Sequence, residues 1–247
     1  MTLVNIFGLA FLAVFLILII YYATGDRKLA LTNFREIKAF STLRRAVGLA
    51  LEAGSRIHLS IGRGNVIGPQ SAIGFQSLSI LNRINQFTAP SDRPTITSSG
   101  EGAWMVLSQD TMRSTSQAVD APFDQTQGRL TGLTPFPFAA GALDITLNEE
   151  VATNVLVGNF GGELALITEA GERGGILNIG GTDNIPGQAI MFTATHEPLI
   201  GEEVFAGGAY MGAGDTHIAS LRAQDILRWV LIVIVLVGAA LKLIGVL

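Results

Sequence analysis

The chain of 247 residues contains no cysteine. That excludes disulfides and any thiol nucleophile. Charge is scarce as well: Asp, Glu, Lys and Arg make up 15% of the residues, against about 25% in an average soluble domain. The formal net charge is −4, and basic residues form no block outside short stretches beside apolar segments. Nucleic acid therefore finds no electrostatic footing and is excluded as a partner. Histidine occurs three times, as His58, His196 and His217, and no G-x-S-x-G elbow is present. The closest gathering of metal-ligating residue types, His196 and Glu197 with Glu202 and Glu203, lacks the i, i+4 histidine pair of a helical zinc site. The sequence gives no catalytic constellation, no metal centre and no identifiable cofactor.

Apolar sequence, by contrast, is abundant, at 49% of the chain. "LVNIFGLAFLAVFLILIIYY", residues 3–22, carries no charge and matches the ~20 residues a helix needs to cross the hydrocarbon core. Residues 226–247 are similar, interrupted only by Arg228 and Lys242. Those two, with Trp229, Tyr21 and Tyr22, suit the membrane–water interface. A cleaved signal peptide would need a basic leading region and a small-residue cleavage site, which "YYATGDRK" supplies poorly. A buried core helix would show a polar face, which residues 226–247 lack. The chain is thus read as a transmembrane helix in 1–26, one domain in 27–225 and a second transmembrane helix in 226–247. Arg27, Lys28, Arg35 and Lys38 follow the first span, and Arg222 and Arg228 precede the second. The positive-inside rule then places the middle domain in the cytoplasm and both termini outside.

Within the middle domain, strand and helix patterns alternate. "TLRRAVGLALEAG" has helical spacing and ends on Gly54 as a C-cap. "RIHLSIG" reads as a strand, followed by a Gly-rich turn and a helix from Ser71 to Phe87. "RPTITSS" is a strand and "EGAWMVLSQDTMRSTSQAV" a helix. "ALDITL", "NVLVGNF", "ILNIGG" and "QAIMFTAT" read as strands, "GELALITEAGERGG" as a helix, and "GEEVFAGGAYMGAG" as a helix interrupted by glycine. "APFDQTQGRLTGLTPFPF", residues 121–138, reads as a long functional loop or a break between subdomains. This alternation predicts an α/β fold, a mainly parallel sheet with helices on both faces, flanked by the two spans. Apolar runs with little alternation, such as Ala189 to Phe192, fit strands buried on both sides.

Three stretches, "IHLSIGRG", "NVLVGNFGGELALITEA" and "EPLIGEEVFAGGAYMGAGDTHIASLRAQDILRW", resemble a family of bacterial membrane proteins known only as a domain of unknown function. The resemblance covers the middle domain and the approach to the last span. It implies a location in the bacterial inner membrane and carries over no activity and no site residues.

The residues themselves offer one candidate ligand site. Gly62, Arg63, Gly64 and Gly68 in "SIGRGNVIGPQSA" lie between a strand and a helix, where a phosphate meets backbone N–H groups and a helix N-terminus. Arg63 could pair with a small anionic ligand. Glu101, just after the next strand, stands where an acid would hold a ribose, although later than the usual offset of about 20 residues. Tight turns need positive φ, so the same glycines also fit a purely structural role. Glu163 and Glu202 would each sit in a first helical turn. There they offset the helix dipole or, with His196, Glu197 and Glu203, line a crevice at one sheet edge. Glycines inside "FAGGAYMGAG" cost about 1 kcal/mol each relative to alanine in a helix. They point to close backbone approach, either to the sheet or to another subunit. Low charge adds to this, and the leading expectation is a membrane-anchored homo-oligomer working as an interaction module. The rival expectation is a nucleotide- or anion-binding domain.

Overall fold

The computed structural model describes residues 3–24, 34–212 and 214–244. Arg27 and Lys28, on which the topology reading leans, lie outside them. The chain divides into two units, Glu36–Ala213 and a second made of Met1–Arg35 with Gly214–Leu247.

The second unit is helical. Helix α1 runs Leu3–Thr24 and α9 runs Asp215–Leu243, and they pack against each other. Both are long and apolar enough to cross a membrane. At 1.5 Å per residue, α1 is about 33 Å long, close to the hydrocarbon thickness. Helix α9 is continuous, so the amphipathic lead-in "DTHIASLRAQD" and the apolar tail share one rod. Arg222 covers the ring of Phe34 at 4.7 Å, a cation–π contact next to the apolar stretch.

The Glu36–Ala213 unit is an α/β sandwich. Its elements are α2 (Lys38–Ala53), β1 (Arg56–Gly62), α3 (Ser71–Thr88), β2 (Ile96–Ser99), α4 (Gly102–Ala118), β3 (Gly128–Leu130), α5 (Pro135–Asn148), β4 (Val151–Asn159), α6 (Leu164–Arg173), β5 (Leu177–Gly181), α7 (Ile185–Ala194), β6 (Glu197–Leu199) and α8 (Gly207–Met211). All six strands are parallel, in the order β3-β2-β1-β4-β5-β6. Helices α2, α3, α4 and α8 pack with one another on one face, and α5, α6 and α7 on the other. The expected α/β class with helices on both faces is what the chain adopts.

Side chains alternate across β1. Ile57, Leu59 and Ile61 face the α2–α4 layer with Phe40, Leu43, Ile80 and Ile84, all buried. The opposite face meets a cluster of Phe138, Ala142, Leu156, Phe160, Leu164, Ile167 and Met191. Gly54 caps α2 in the left-handed conformation at φ +64°, as its sequence position predicts. The ends of the unit meet where Phe40 stacks on Tyr210, with ring centroids 5.3 Å apart.

Two expected strands are corrected. "ALDITL" is the second half of α5, and "QAIMFTAT" is most of α7. Each run is short and apolar, and periodicity over so few residues does not separate a buried strand from a helix. The deciding signals were the prolines at the first turns, Pro135 in α5 and Pro186 in α7. Ala142, Ile145 and Thr146 are buried at i, i+3, i+4, which is helical spacing. Strands β3 and β6, three residues each, went unread. The 121–138 segment holds β3 and the start of α5, so it lies within a single unit and divides no subdomains.

Gly207 and Gly212 of "FAGGAYMGAG" serve packing and turning inside the unit. Residues 201–206 form a 3₁₀ helix leading into α8. A Cβ on Gly207 would approach Ile80 Cδ1 of α3 to 2.7 Å, and Gly212 ends α8 at φ +76°. The sheet or another subunit was the expected partner of this close approach, and at Gly207 it is helix α3 instead.

Candidate functional site

In a parallel sheet every strand-to-helix connection leaves from the carboxyl edge. Here the strand order reverses between β1 and β4, the point at which open α/β sheets place their ligands. The turn after β1 brings Gly62, Arg63 and Gly64 to that point, and the turn after β4 brings Asn159 through Glu163 opposite them.

The two turns are joined tightly. Gly62 pairs with Asn159 across the strands, after a bulge between Ser60 and Gly62. The Arg63 N–H donates to the Asn159 carbonyl at 2.9 Å, and the Gly100 N–H donates to the Gly62 carbonyl at 2.8 Å. Gly62 has φ +78°, and a Cβ there would collide with the Asn159 backbone. A Cβ on Gly64 would lie 2.8 Å from Asn159 Cβ. The Gly64 carbonyl accepts the indole N–H of Trp104 at 2.5 Å. Close approach of β1 to β4 is therefore what demands glycine at 62 and 64. Gly68, at φ +122°, stands further along the connection in open space, and its carbonyl caps Ser71 at the start of α3.

Arg63 crosses the reversal point. Its stem lies over Gly100, where a Cβ would strike it, and its Nε donates to Glu163 Oε1 at 2.9 Å. The same oxygen accepts the Gly161 N–H at 3.0 Å. Burial pushes the Glu163 carboxyl up, yet the Gly161 N–H and Arg63 outweigh it, and the group is held below its ordinary value. A carboxylate at 5% exposure thus occupies the N-terminal end of α6 and neutralises the one arginine of the turn. Asn159 Nδ2 extends the closure by donating to Asp183 Oδ1 at 2.7 Å.

Glu101 stands at the start of α4, two residues beyond the end of β2. One of its carboxylate oxygens, Oε2, is buried without a hydrogen-bond partner. The structure thus brings Gly62, Arg63, Gly64 and Glu101 to one edge of the sheet.

The other expected cluster is split. His196 and Glu197 lie at the amino end of β6, while Glu202 and Glu203 follow its carboxyl end. His196 Nδ1 accepts the Asn178 N–H at 3.3 Å, and Thr42 donates to Glu197 at 3.5 Å. Taking "QAIMFTAT" for the strand had put His196 on the wrong edge. Among the described residues no group of three or more His, Asp or Glu side chains comes together as a metal site.

Sequence reasoning missed a polar ladder running through the core. His58 on β1, Asn154 on β4 and Asn178 on β5 are register partners, all fully buried. His58 Nδ1 lies 3.1 Å from Asn154 Oδ1, and its Nε2 lies 2.8 Å from Ser98 Oγ, itself 2.9 Å from Ser60 Oγ. Asn154 Nδ2 donates to Asn178 Oδ1 at 3.0 Å, and Asn178 Nδ2 donates to the Thr168 carbonyl at 2.9 Å. Desolvation lowers the His58 pKa to about 4, against a smaller upward pull from Asn154. The sequence signal was a polar residue in each of three apolar strands.

The whole chain, residues 2–247, matches the family model described as "Domain of unknown function (DUF6754)". The protein belongs to this family. The match takes in both apolar terminal helices as well as the α/β unit, more than the three resembling stretches covered. No curated protein and no solved structure matches the chain.

Proposed function

We propose that this member of the DUF6754 family is a membrane-anchored, self-associating interaction module. In this reading α1 and α9 span a bacterial inner membrane, the α/β unit is cytoplasmic and both termini lie outside. The observation that carries it is apolar surface left bare on the α/β unit: Ile185 is 81% exposed, Phe136 73% and Phe192 70%. Large exposed side chains of this kind mark interaction surfaces when they cluster. Anchoring in two dimensions raises the effective concentration of such surfaces for one another. The reversal point of the sheet supports the same reading, because Glu163 already engages Arg63, the cation an anion at this turn would use. Extracted into nanodiscs, the full chain is expected to run in mass photometry as a defined multiple of its 26.1 kDa mass. A monomer at every concentration would end the proposal.

The orientation rests on Arg35, Lys38, Arg222 and Arg228 beside the spans. Thr2→Cys is expected to react with an impermeant maleimide on intact cells, and Gln117→Cys, exposed on α4, is expected to stay unlabelled. The reverse pattern would invert the topology.

The unpartnered Glu101 Oε2 favours one second reading: a nucleotide or related anion at Gly62, Arg63, Gly64, Gly68 and Glu101, with the carboxylate taking a ribose hydroxyl. A ligand at 100 times its Kd adds about 2.7 kcal/mol to stability. The self-association reading expects no nucleotide to move the melting temperature. A saturable shift that Glu101→Gln abolishes would establish the second reading in its place.

A further inference from the structure

We propose that the carboxyl edge of the sheet lies on the lipid bilayer, with Ile67, Leu133, Phe136 and Ile185 entering the membrane–water interface. This rests on the membrane-anchored part of the reading above and adds the face that the α/β unit turns to the lipid.

Among the described residues of the Glu36–Ala213 unit, the five most exposed large apolar side chains are Ile67 (86%), Ile185, Phe136, Phe192 and Leu133 (68%). Four of the five stand at the carboxyl edge. Ile67 is in the connection from β1 to α3 and Leu133 in that from β3 to α5, while Phe136 and Ile185 are in the first turns of α5 and α7. The connections at the opposite, amino edge expose no large apolar side chain. They expose Asp92, Asp120, Asp124 and Glu150 instead. The unit therefore has an apolar pole and a charged one.

What covers the apolar pole follows from where the chain enters and leaves. Helix α2 packs on β1 and is joined to it by Gly54 and Ser55 alone, so the two run in opposite directions. Its 16 residues span about 24 Å, against about 23 Å for the 7 residues of β1. Lys38 is thereby level with the carboxyl end of β1. Tyr210 of α8 stacks on Phe40, so the chain leaves the unit beside its point of entry. Only residues 25–35 separate this edge from α1, and only residues 214–225 separate it from the apolar tail. As helix, the second of these connections reaches about 18 Å. Two such short tethers at one edge hold that edge toward the bilayer.

Charge fixes the kind of contact. The acids of this edge, Glu101, Glu163, Asp183, Glu202 and Glu203, outnumber Arg63, so anionic headgroups gain nothing there. The contact is apolar, with side chains reaching the boundary between headgroups and acyl chains. Phe192 lies about 10 Å further along α7 than Ile185. It stays on the flank of the unit, where other copies can meet it.

The absence of native cysteine makes the test clean. In full-length chains in phosphatidylcholine nanodiscs, bimane on Ile67→Cys or Leu133→Cys is expected to lose most of its emission to lipid carrying a nitroxide on its acyl chain. Bimane on Asp120→Cys, at the amino edge, is expected to keep its emission. All three side chains are exposed, so the melting temperature should not move. Val233→Cys, within α9, reports the span itself. If Val233→Cys is quenched while Ile67→Cys and Leu133→Cys behave like Asp120→Cys, the edge faces water and the proposal is overturned, with the anchored reading intact. An unquenched Val233→Cys overturns both. Disulfide-linked dimers through Ile67→Cys or Leu133→Cys in place of quenching would assign the edge to a second copy and overturn the proposal. Quenching that appears only when anionic lipid is added would overturn it as well.

Discussion

Asn154→Ala is expected to lower the unfolding free energy by about 3–5 kcal/mol. Asn154 sits at the centre of the ladder with no exposed surface. Its amide meets His58 Nδ1, Asn178 Oδ1 and, at 3.4 Å, Thr146 Oγ1. Removing it leaves two buried polar groups without partners, each costing about 1–3 kcal/mol, and opens a void beside them. Relaxation into that void is restricted, because Gly171 of α6 already lies against both asparagine amides. Urea titration of the solubilised chain, read at buried Trp104, measures the loss. Asn148→Ala, exposed on α5, serves as the control and should change stability by no more than about 0.5 kcal/mol. A loss below about 1 kcal/mol at Asn154 would show that the ladder contributes little to stability.

Acidification is expected to remove about 3 kcal/mol between pH 6.5 and pH 4, through His58. In the unfolded chain the imidazole takes its proton near 6.5, and in the folded one only near 4. Between those values the unfolded state binds more protons, so stability falls as pH falls, and below about 4 the contribution levels off. The stabilising contribution is complete above about 6.5. The span from 6.5 down to about 4, at 1.36 kcal/mol per pH unit, sets the size. Glu163 also loses stability on acidification, but its folded pKa lies below the usual carboxyl value, so its window opens further down. His58→Gln isolates the effect. This variant should be less stable at neutral pH and nearly flat from 6.5 to 4. An unchanged slope in the variant would assign the acid sensitivity to other groups.

Much of the fold was legible in the sequence because glycine turns and apolar strands alternate with amphipathic helices. Strand β1 and helices α3, α4 and α6 fell where their residues predict. Helix α7 did not, and the reason is physical. Its exposed face is as apolar as its buried one, so its composition is that of a core strand. Strands β3 and β6 are too short to leave a pattern. At the reversal point, Gly62 and Gly64 were legible as turn glycines, but the group whose approach demands them, Asn159, stands nearly one hundred positions away. The Arg63–Glu163 pair spans 100 residues, and no local spacing announces it. The ladder was hidden for the same reason. His58, Asn154 and Asn178 look unremarkable singly and become a network only through strand register.

The placement of β1 beside β4 has a consequence for synthesis. The centre of the sheet closes only when Asn154 reaches His58, 96 residues later in the chain. At about 5–20 residues per second on the ribosome, β1 waits roughly 5–20 s for that neighbour. Throughout the delay "RIHLSIG" is an uncharged strand apart from Arg56, with an open edge of backbone groups, the kind of segment that pairs wrongly with other chains. The nascent chain therefore gains from any arrangement that shields β1 or shortens the wait. Slowing translation across residues 63–150 should lower the yield of folded protein more than the same slowing placed after residue 160.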